Sequence, residues 1–196
     1  MPKQPLSPSD WIEVAVDALA RGGVSEVRVD VLAKRLGVSR GSFYWHFADR
    51  DALLTAALDE WEHTITTGVI EQLEKLASPS DRLRAIFELA YFTPDSVNRV
   101  EPALAANAEH PIVAPVLRRV TDARLHFLTT LFTDLGLDPT IARQRALYSY
   151  SAFLGWLHLR RTMPGLAPET TYSGPQSQPY LDDLVRILAL DAPGPQ

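Results

Sequence analysis

The chain has 196 residues, of which 46% are apolar and 22% charged, and a net charge of −5; that length suits one large or two small domains with a buried core. It has no cysteine, which excludes disulfides, thiolate zinc sites and cysteine nucleophiles. No stretch reaches the roughly 18 continuous apolar residues of a membrane span, and no signal-peptide core opens the chain, so a soluble cytoplasmic protein is expected. The first element opens at Ser7-Pro8-Ser9-Asp10, which reads as N-cap, N1 proline and acidic N3, a capping box. Ile12, Ala15, Val16 and Leu19 follow at helical spacing, and Gly22-Gly23 ends the segment. After two short helices within Leu32–Phe47, an amphipathic run carries Leu54, Leu58, Trp61, Ile65, Val69, Leu73 and Leu76 on one stripe. It predicts one helix from about Asp49 to Ala77.

The cap recurs at Ser78-Pro79-Ser80-Asp81 before Leu83, Ile86, Phe87 and Ala90, but the sequences after the two caps differ, so there is no internal repeat. Asp95 or Ser96 is expected to start a short helix that Pro102 interrupts or restarts. Pro111 is expected at N1 of a helix through Ile112, Val116, Val120, Phe127, Leu128, Leu131 and Leu135, stopped by Gly136. Asp138-Pro139 caps the next, through Ala146, Tyr150, Phe153 and Leu157 to Pro164-Gly165. Residues Pro164–Pro179 hold four prolines and two glycines and read as a loop. Tyr180, Leu181, Leu184, Ile187 and Leu188 then mark a last helix. Nothing alternates with period two, so the fold class is all-α, with about nine helices.

The net charge alone argues against nucleic acid, but its distribution does not. Within Arg28–Arg50 five cations (Arg28, Lys34, Arg35, Arg40, Arg50) face two anions (Asp30, Asp49), a local charge of +3. Residues 1–50 carry +1 and residues 51–196 therefore −6. Screening over roughly 8 Å at physiological salt makes the local patch matter more to a docked phosphate than the distant acidic mass. That mass should still weaken indiscriminate DNA binding.

In Leu32–Phe47, Leu32, Ala33 and Leu36 form the inward face of a short helix, and Gly37 stands where the chain turns with positive φ. Val38 plugs the corner, Ser39 is expected to cap the next helix, and Phe43 and Phe47, four apart, bury one face of it. Arg40, Gly41, Ser42, Tyr44, Trp45 and His46 remain outward. A two-helix corner used only for packing accounts for Leu36, Gly37, Val38, Phe43 and Phe47, but not for an exposed Arg-Tyr-Trp-His group, which points to a partner. Two helices joined this way place the second in the major groove of DNA.

The pattern Leu-Ala-x-x-Leu-Gly-Val-Ser-x-Gly-x-x-Tyr-Trp-His-Phe, with Asp49-Arg50-Asp51-Ala52-Leu53-Leu54 after it, resembles the DNA-binding signature of the tetracycline-repressor family. The resemblance is strong over about residues 8–60; beyond them it extends to length and helix count. It implies an N-terminal three-helix DNA-binding domain at 1–50 and a ligand-binding and dimerising helical bundle at 51–196, with 51–77 the connecting helix. By motif position Arg40, Gly41, Ser42 and Tyr44 face base edges. Ser39, Tyr44, Trp45, His46 and Arg50 hold phosphates. Members often carry Thr or Ser where Val29 stands, so Arg28 or Asp30 is expected to substitute for that cap.

The same resemblance implies a homodimeric, ligand-responsive repressor on a palindromic double-stranded operator, with half-sites about one DNA turn, roughly 34–36 Å, apart. The effector is an unknown small molecule, and no cofactor is implied. Candidate walls of its pocket are Phe87, Tyr91, Asn107, His110, Arg124, Phe127, Tyr148 and Trp156, each also open to ordinary packing. Pro139–Met163 and Tyr180–Leu190 are the candidate dimer interface, where Ser149, Ala152 and Gly155 permit close helix approach. Against an enzyme or a metal site, the five histidines (46, 63, 110, 126, 158) are scattered, and there is no G-x-S-x-G elbow or glycine-rich phosphate loop. A helical protein-interaction or ligand-buffering module is the remaining alternative.

Overall fold

The structure, a computed structural model, describes residues 6–92, 99–163 and 177–188. All regular structure among them is helical. The expected Asp95/Ser96 helix start and the Pro164-Gly165 stop lie outside the described residues. By compactness the chain divides into one unit of Met1–Ile65 with Arg99–Val120, and another of Thr66–Asn98 with Thr121–Gln196. The functional boundary expected at residue 50 therefore does not coincide with a break in compactness.

In the first unit, α1 (Pro8–Gly22) opens with the capping box, Ser7 Oγ accepting from Asp10 N and Asp10 Oδ2 accepting from Ser7 N. A 3-10 turn (Gly23–Glu26) follows, then α2 (Val29–Leu36), α3 (Arg40–Phe43) and α4 (Arg50–Glu62). Asp49 caps α4 by accepting from Ala52 N at 2.8 Å. Farther along, α7 (Val100–Ala105) has Pro102 in its first turn, where a missing N–H costs nothing. The long helix α8 (Val113–Asp134) begins two residues later than Pro111 predicts, the Val113 and Ala114 amides both donating to His110 O.

The core of this unit joins distant sequence. Trp11, Ala15 and Leu19 of α1 pack with Leu32 and Phe43 of the two-helix corner, with Leu54, Leu58 and Trp61 of α4, and with Val100, Leu104, Val113, Val116 and Val120. Trp11, absent from the predicted face, is fully buried. The approach of α7 explains Gly23: its φ is +74°, and a Cβ there would lie 2.8 Å from Asn107 Nδ2 and 3.2 Å from Ala103 O.

The run predicted as one helix from Asp49 to Ala77 is helical from Arg50 to Leu73, but a π-helical turn (His63–Thr67) interrupts it before α5 (Gly68–Leu73). The regular stripe holds through Leu54, Leu58 and Trp61; within the wider turn Thr66 is buried, and beyond it Leu73 is buried and Leu76 exposed.

In the second unit, Ser78 Oγ accepts from Asp81 N at 3.0 Å at the start of α6 (Pro79–Phe92). Asp138 Oδ1 accepts from Thr140 N at the start of α9 (Pro139–Thr162). Between them α8 closes at Gly136, φ 92°, with Leu137 N donating to Phe132 O. The last helix, α10 (Ser177–Leu188), starts before the predicted Tyr180 and takes Pro179 into its first turn, where a missing N–H costs nothing. Leu83, Phe87, Tyr91, Leu131, Phe132, Ala146, Trp156 and Leu181 lie in its core.

Candidate nucleic-acid interface

The corner between α2 and α3 is built as the sequence dictates. Gly37 adopts φ 68°, ψ 35°. Val38 N donates to Ala33 O and Gly37 N to Lys34 O, the paired bonds of a Schellman close. This aims the chain so that Phe43 drops into the core, edge-on to Trp11 at 5.3 Å and stacked on Phe47 at 5.7 Å.

With Phe43 anchored inward, its neighbours point out. Tyr44 is 55% and Trp45 88% exposed, while Ser39, Arg40 and Gly41 are exposed and Ser42 and His46 half-buried. An arginine nitrogen of Arg40 donates to Tyr44 Oη at 3.3 Å, so the two long side chains lie together one helical turn apart. The result is a rigid apolar-and-cationic edge able to offer a guanidinium fork, a phenol and an indole to one groove.

Three details differ from expectation. The α-helical part of the reading element is a single turn, Arg40–Phe43, and Tyr44–His46 continue as turns, with His46 N and Phe47 N both donating to Phe43 O. Ser39 makes no side-chain cap; its backbone oxygen accepts from Ser42 N at 3.0 Å, which leaves its hydroxyl off the helix amides. At α2 neither Arg28 nor Asp30 replaces the missing Thr or Ser: Arg28, the N-cap residue, makes no side-chain cap, and pairs with Asp30 at 3.3 Å.

Arg50 is committed inward. Its Nε donates to Val27 O at 2.8 Å, one terminal nitrogen to Val24 O at 2.6 Å, and the other meets Asp51 at 3.1 Å. A guanidinium so engaged fastens the start of α4 to the 3-10 turn. Lys34 and Arg35, counted in the basic segment but given no contact from sequence, are exposed in the last turn of α2. Asp10, in the α1 capping box, is held below the usual carboxylate range by the Ser7 hydroxyl first, then by the Ser7 amide, with His46 adding a little.

The eight candidate effector residues are divided between the two units. Asn107 and His110 belong to the first unit, where Asn107 Nδ2 donates to Ala103 O at 2.9 Å and His110 Nδ1 accepts from Ile112 N. In the second unit Phe127 lines a cleft of about 240 Å³ with Ile70, Glu74, Arg82 and His126. Tyr148 lines another, of about 380 Å³, with Leu137, Ile141 and Arg145. Phe87, Tyr91 and Trp156 do come together, Tyr91 lying 6.1 Å from Phe87 and 5.5 Å from Trp156. Arg124 stands over the Tyr150 and Phe153 rings at 5.8 and 5.7 Å. Burial raises the Tyr91 and Tyr180 hydroxyls above the ordinary phenol range.

Residues 12–57 match the family model described as bacterial regulatory proteins, tetR family. The HTH-type transcriptional regulator BetI of Pseudomonas paraeruginosa is 29% identical over 193 residues, covering 93% of this chain and 96% of BetI. Among solved structures, a transcriptional regulator of Saccharomonospora viridis in complex with choline aligns with TM-score 0.74 at 18% identity, over 91% of this chain and 95% of its own. AibR in complex with isovaleryl coenzyme A and operator DNA aligns with TM-score 0.63 at 19% identity, over 92% and 96%. No described helix is long and apolar enough to cross a membrane. The helix-turn-helix geometry and the match to the tetR family model both fall on the N-terminal segment, and the likeness to BetI runs along nearly the whole chain.

Proposed function

We propose that the chain is a cytoplasmic, ligand-responsive repressor that binds a palindromic operator as a homodimer. The observation that carries this reading is the outward Tyr44 and Trp45 beside Arg40, a combination that packing does not require. In it Arg40, Gly41, Ser42 and Tyr44 read base edges, and Ser39, Trp45 and His46 hold phosphates alongside Lys34 and Arg35. Arg50 acts behind them as a positioning residue. Residues 1–50 serve as the DNA-binding domain and 51–196 as the effector-binding and dimerising part. The choline and isovaleryl coenzyme A complexes of the structural neighbours support a small-molecule effector, and the operator complex of AibR supports DNA as the partner.

Dimerisation is supported by α9. Ile141, Tyr148, Ala152, Gly155 and Leu159 fall on one helical stripe and are exposed, with Leu147 and Leu154 alongside. A Cβ at Gly155 would meet nothing within 4 Å, so a second helix has room there. Ser149 does not share that stripe: it is buried and donates to Arg145 O at 2.7 Å, so the close-approach surface is Ala152 and Gly155 alone.

Selection from random duplex DNA should enrich an inverted repeat with half-sites about one turn apart. On that operator Tyr44→Ala and Arg40→Ala, with unchanged circular dichroism, should each weaken binding by about 1–3 kcal/mol and relax discrimination at the contacted base. Failure to enrich any inverted repeat, or unchanged affinity in both variants, would refute the reading.

A further inference from the structure

Arg40 and Tyr44 stand one helical turn apart, both exposed, and one terminal nitrogen of Arg40 donates to Tyr44 Oη at 3.3 Å. The phenol is itself held in place. Tyr44 N donates to Gly41 O at 3.3 Å, and the Tyr44 ring meets the buried Phe43 edge-on at 5.2 Å. Among the described residues no carboxylate pairs with Arg40. Arg28, by contrast, is engaged by Asp30, and Arg50 by Asp51. The difference matters chemically. A carboxylate that orients an arginine also offsets its charge and must be displaced before a base can bind. A neutral phenol orients it, leaves the charge whole, and occupies only one of the guanidinium N–H groups.

Gly41 leaves a gap beside this pair. Its φ is not left-handed, and a Cβ there would meet only Ser39 Oγ, at 3.7 Å, an ordinary contact. Neither the backbone nor the packing therefore calls for glycine, which in a helix is less stable than alanine. A glycine that its own fold does not need is accounted for by a partner that comes closer than a side chain would allow.

We propose, deepening the reading of this surface as an operator-binding edge and resting on it, that Tyr44 is a positioning residue for Arg40. Its hydroxyl presets the guanidinium for the O6 and N7 edge of a guanine, and the bare backbone at Gly41 lets that base come within reach. An exposed arginine gives up rotamer freedom when it forks onto a base, and a side chain already held gives up less. Arg40 makes the contact, and Tyr44 acts through it. A tyrosine hydroxyl that instead donated to a phosphate would be blind to sequence, which separates the two roles by experiment.

The test uses the intact chain and the inverted repeat enriched from random duplex. Each half-site should hold a guanine whose replacement by 7-deazaguanine, which lacks the N7 acceptor, weakens binding about tenfold or more. Arg40→Ala should no longer respond to that replacement. Tyr44→Phe keeps the ring and deletes the hydroxyl. It should lower the ratio of operator to random-duplex affinity about fivefold or more, and cost nothing further in an Arg40→Ala background. Gly41→Ala should hold or raise the melting temperature while binding the operator about tenfold more weakly. Equal losses on operator and random duplex in Tyr44→Phe would put the hydroxyl on a phosphate and overturn the proposal. So would a Tyr44→Phe loss that persists undiminished without Arg40, a parent protein indifferent to 7-deazaguanine, or a Gly41→Ala variant that binds like the parent. A selection that enriches no repeat removes the operator reading and this pair together. An enriched repeat with additive losses removes the pair alone.

Discussion

At the scale of single residues, the contacts that fix the reading head are mostly local and mostly follow from the sequence. Ser7, Asp10, Gly37 and Asp49 there, and Ser78 and Asp138 in the second unit, sit at caps or turns that their chemistry predicts, because a cap is settled by its nearest neighbours in sequence. Arg50 shows where that legibility ends. Its motif position suggests a phosphate, yet the fold brings the Val24 and Val27 carbonyls, more than twenty residues upstream, within hydrogen-bond reach of its guanidinium. Arg50→Ala should lower the unfolding free energy by about 1–3 kcal/mol in a denaturant titration, with operator binding lost only as the head loosens. A salt slope reduced by one unit with stability unchanged would instead put this guanidinium on a phosphate. Asp10 sets a pH dependence of known sign. Its carboxyl titrates lower in the folded state than in the unfolded one, so the capping box stabilises in full above the ordinary carboxylate value near about 4. That contribution disappears as pH falls through the lower, folded value. Asp10→Asn should therefore reduce the melting temperature at neutral pH and match the parent protein in strong acid.

At the scale of elements, helices with strong caps and a sustained apolar stripe were readable, and departures arise where tertiary packing overrides periodicity. The α-helical part of the reading element is one turn long, and Tyr44–His46 continue as turns in which Tyr44 and Trp45 face outward. The π-helical turn at His63–Thr67 leaves no mark in an unbroken pattern of three and four, since it resets the phase within a segment that stays helical. Among the effector candidates, Phe87 and Tyr91 on α6 and Trp156 on α9 lie together, while Tyr148, also on α9, lines a separate cleft, because aromatic content alone does not say which helix faces meet. On α9 the exposed stripe makes a prediction of its own. Leu154→Arg or Tyr148→Glu should halve the mass seen by analytical ultracentrifugation, because each puts a charge into an apolar interface. Operator affinity should fall with it, since two joined heads bind far more tightly than one. A dimer that survives both substitutions would place the interface elsewhere.

At the scale of the whole molecule, charge is divided unequally: the first fifty residues carry +1 and the remainder −6. An acidic remainder in a chain with a small basic segment weakens binding to arbitrary sequence more than binding to a site whose bases are also read. Lys34→Ala and Arg35→Ala should each lower the slope of log affinity against log salt by about one unit per subunit, equally for operator and random duplex. Arg40→Ala should instead discriminate between the two. The all-helical class was evident from the sequence, whereas the membership of residues 99–120 in the compact unit that holds the reading head was not, because that core is assembled from segments far apart in the chain. The same core has an optical consequence. Of the four tryptophans, Trp11, Trp61 and Trp156 are enclosed and Trp45 alone stands in water. The red edge of the intrinsic emission, and the part that iodide can quench, thus belongs to one indole on the surface assigned to DNA. Without any added dye, operator binding becomes visible as the moment when that indole leaves the solvent.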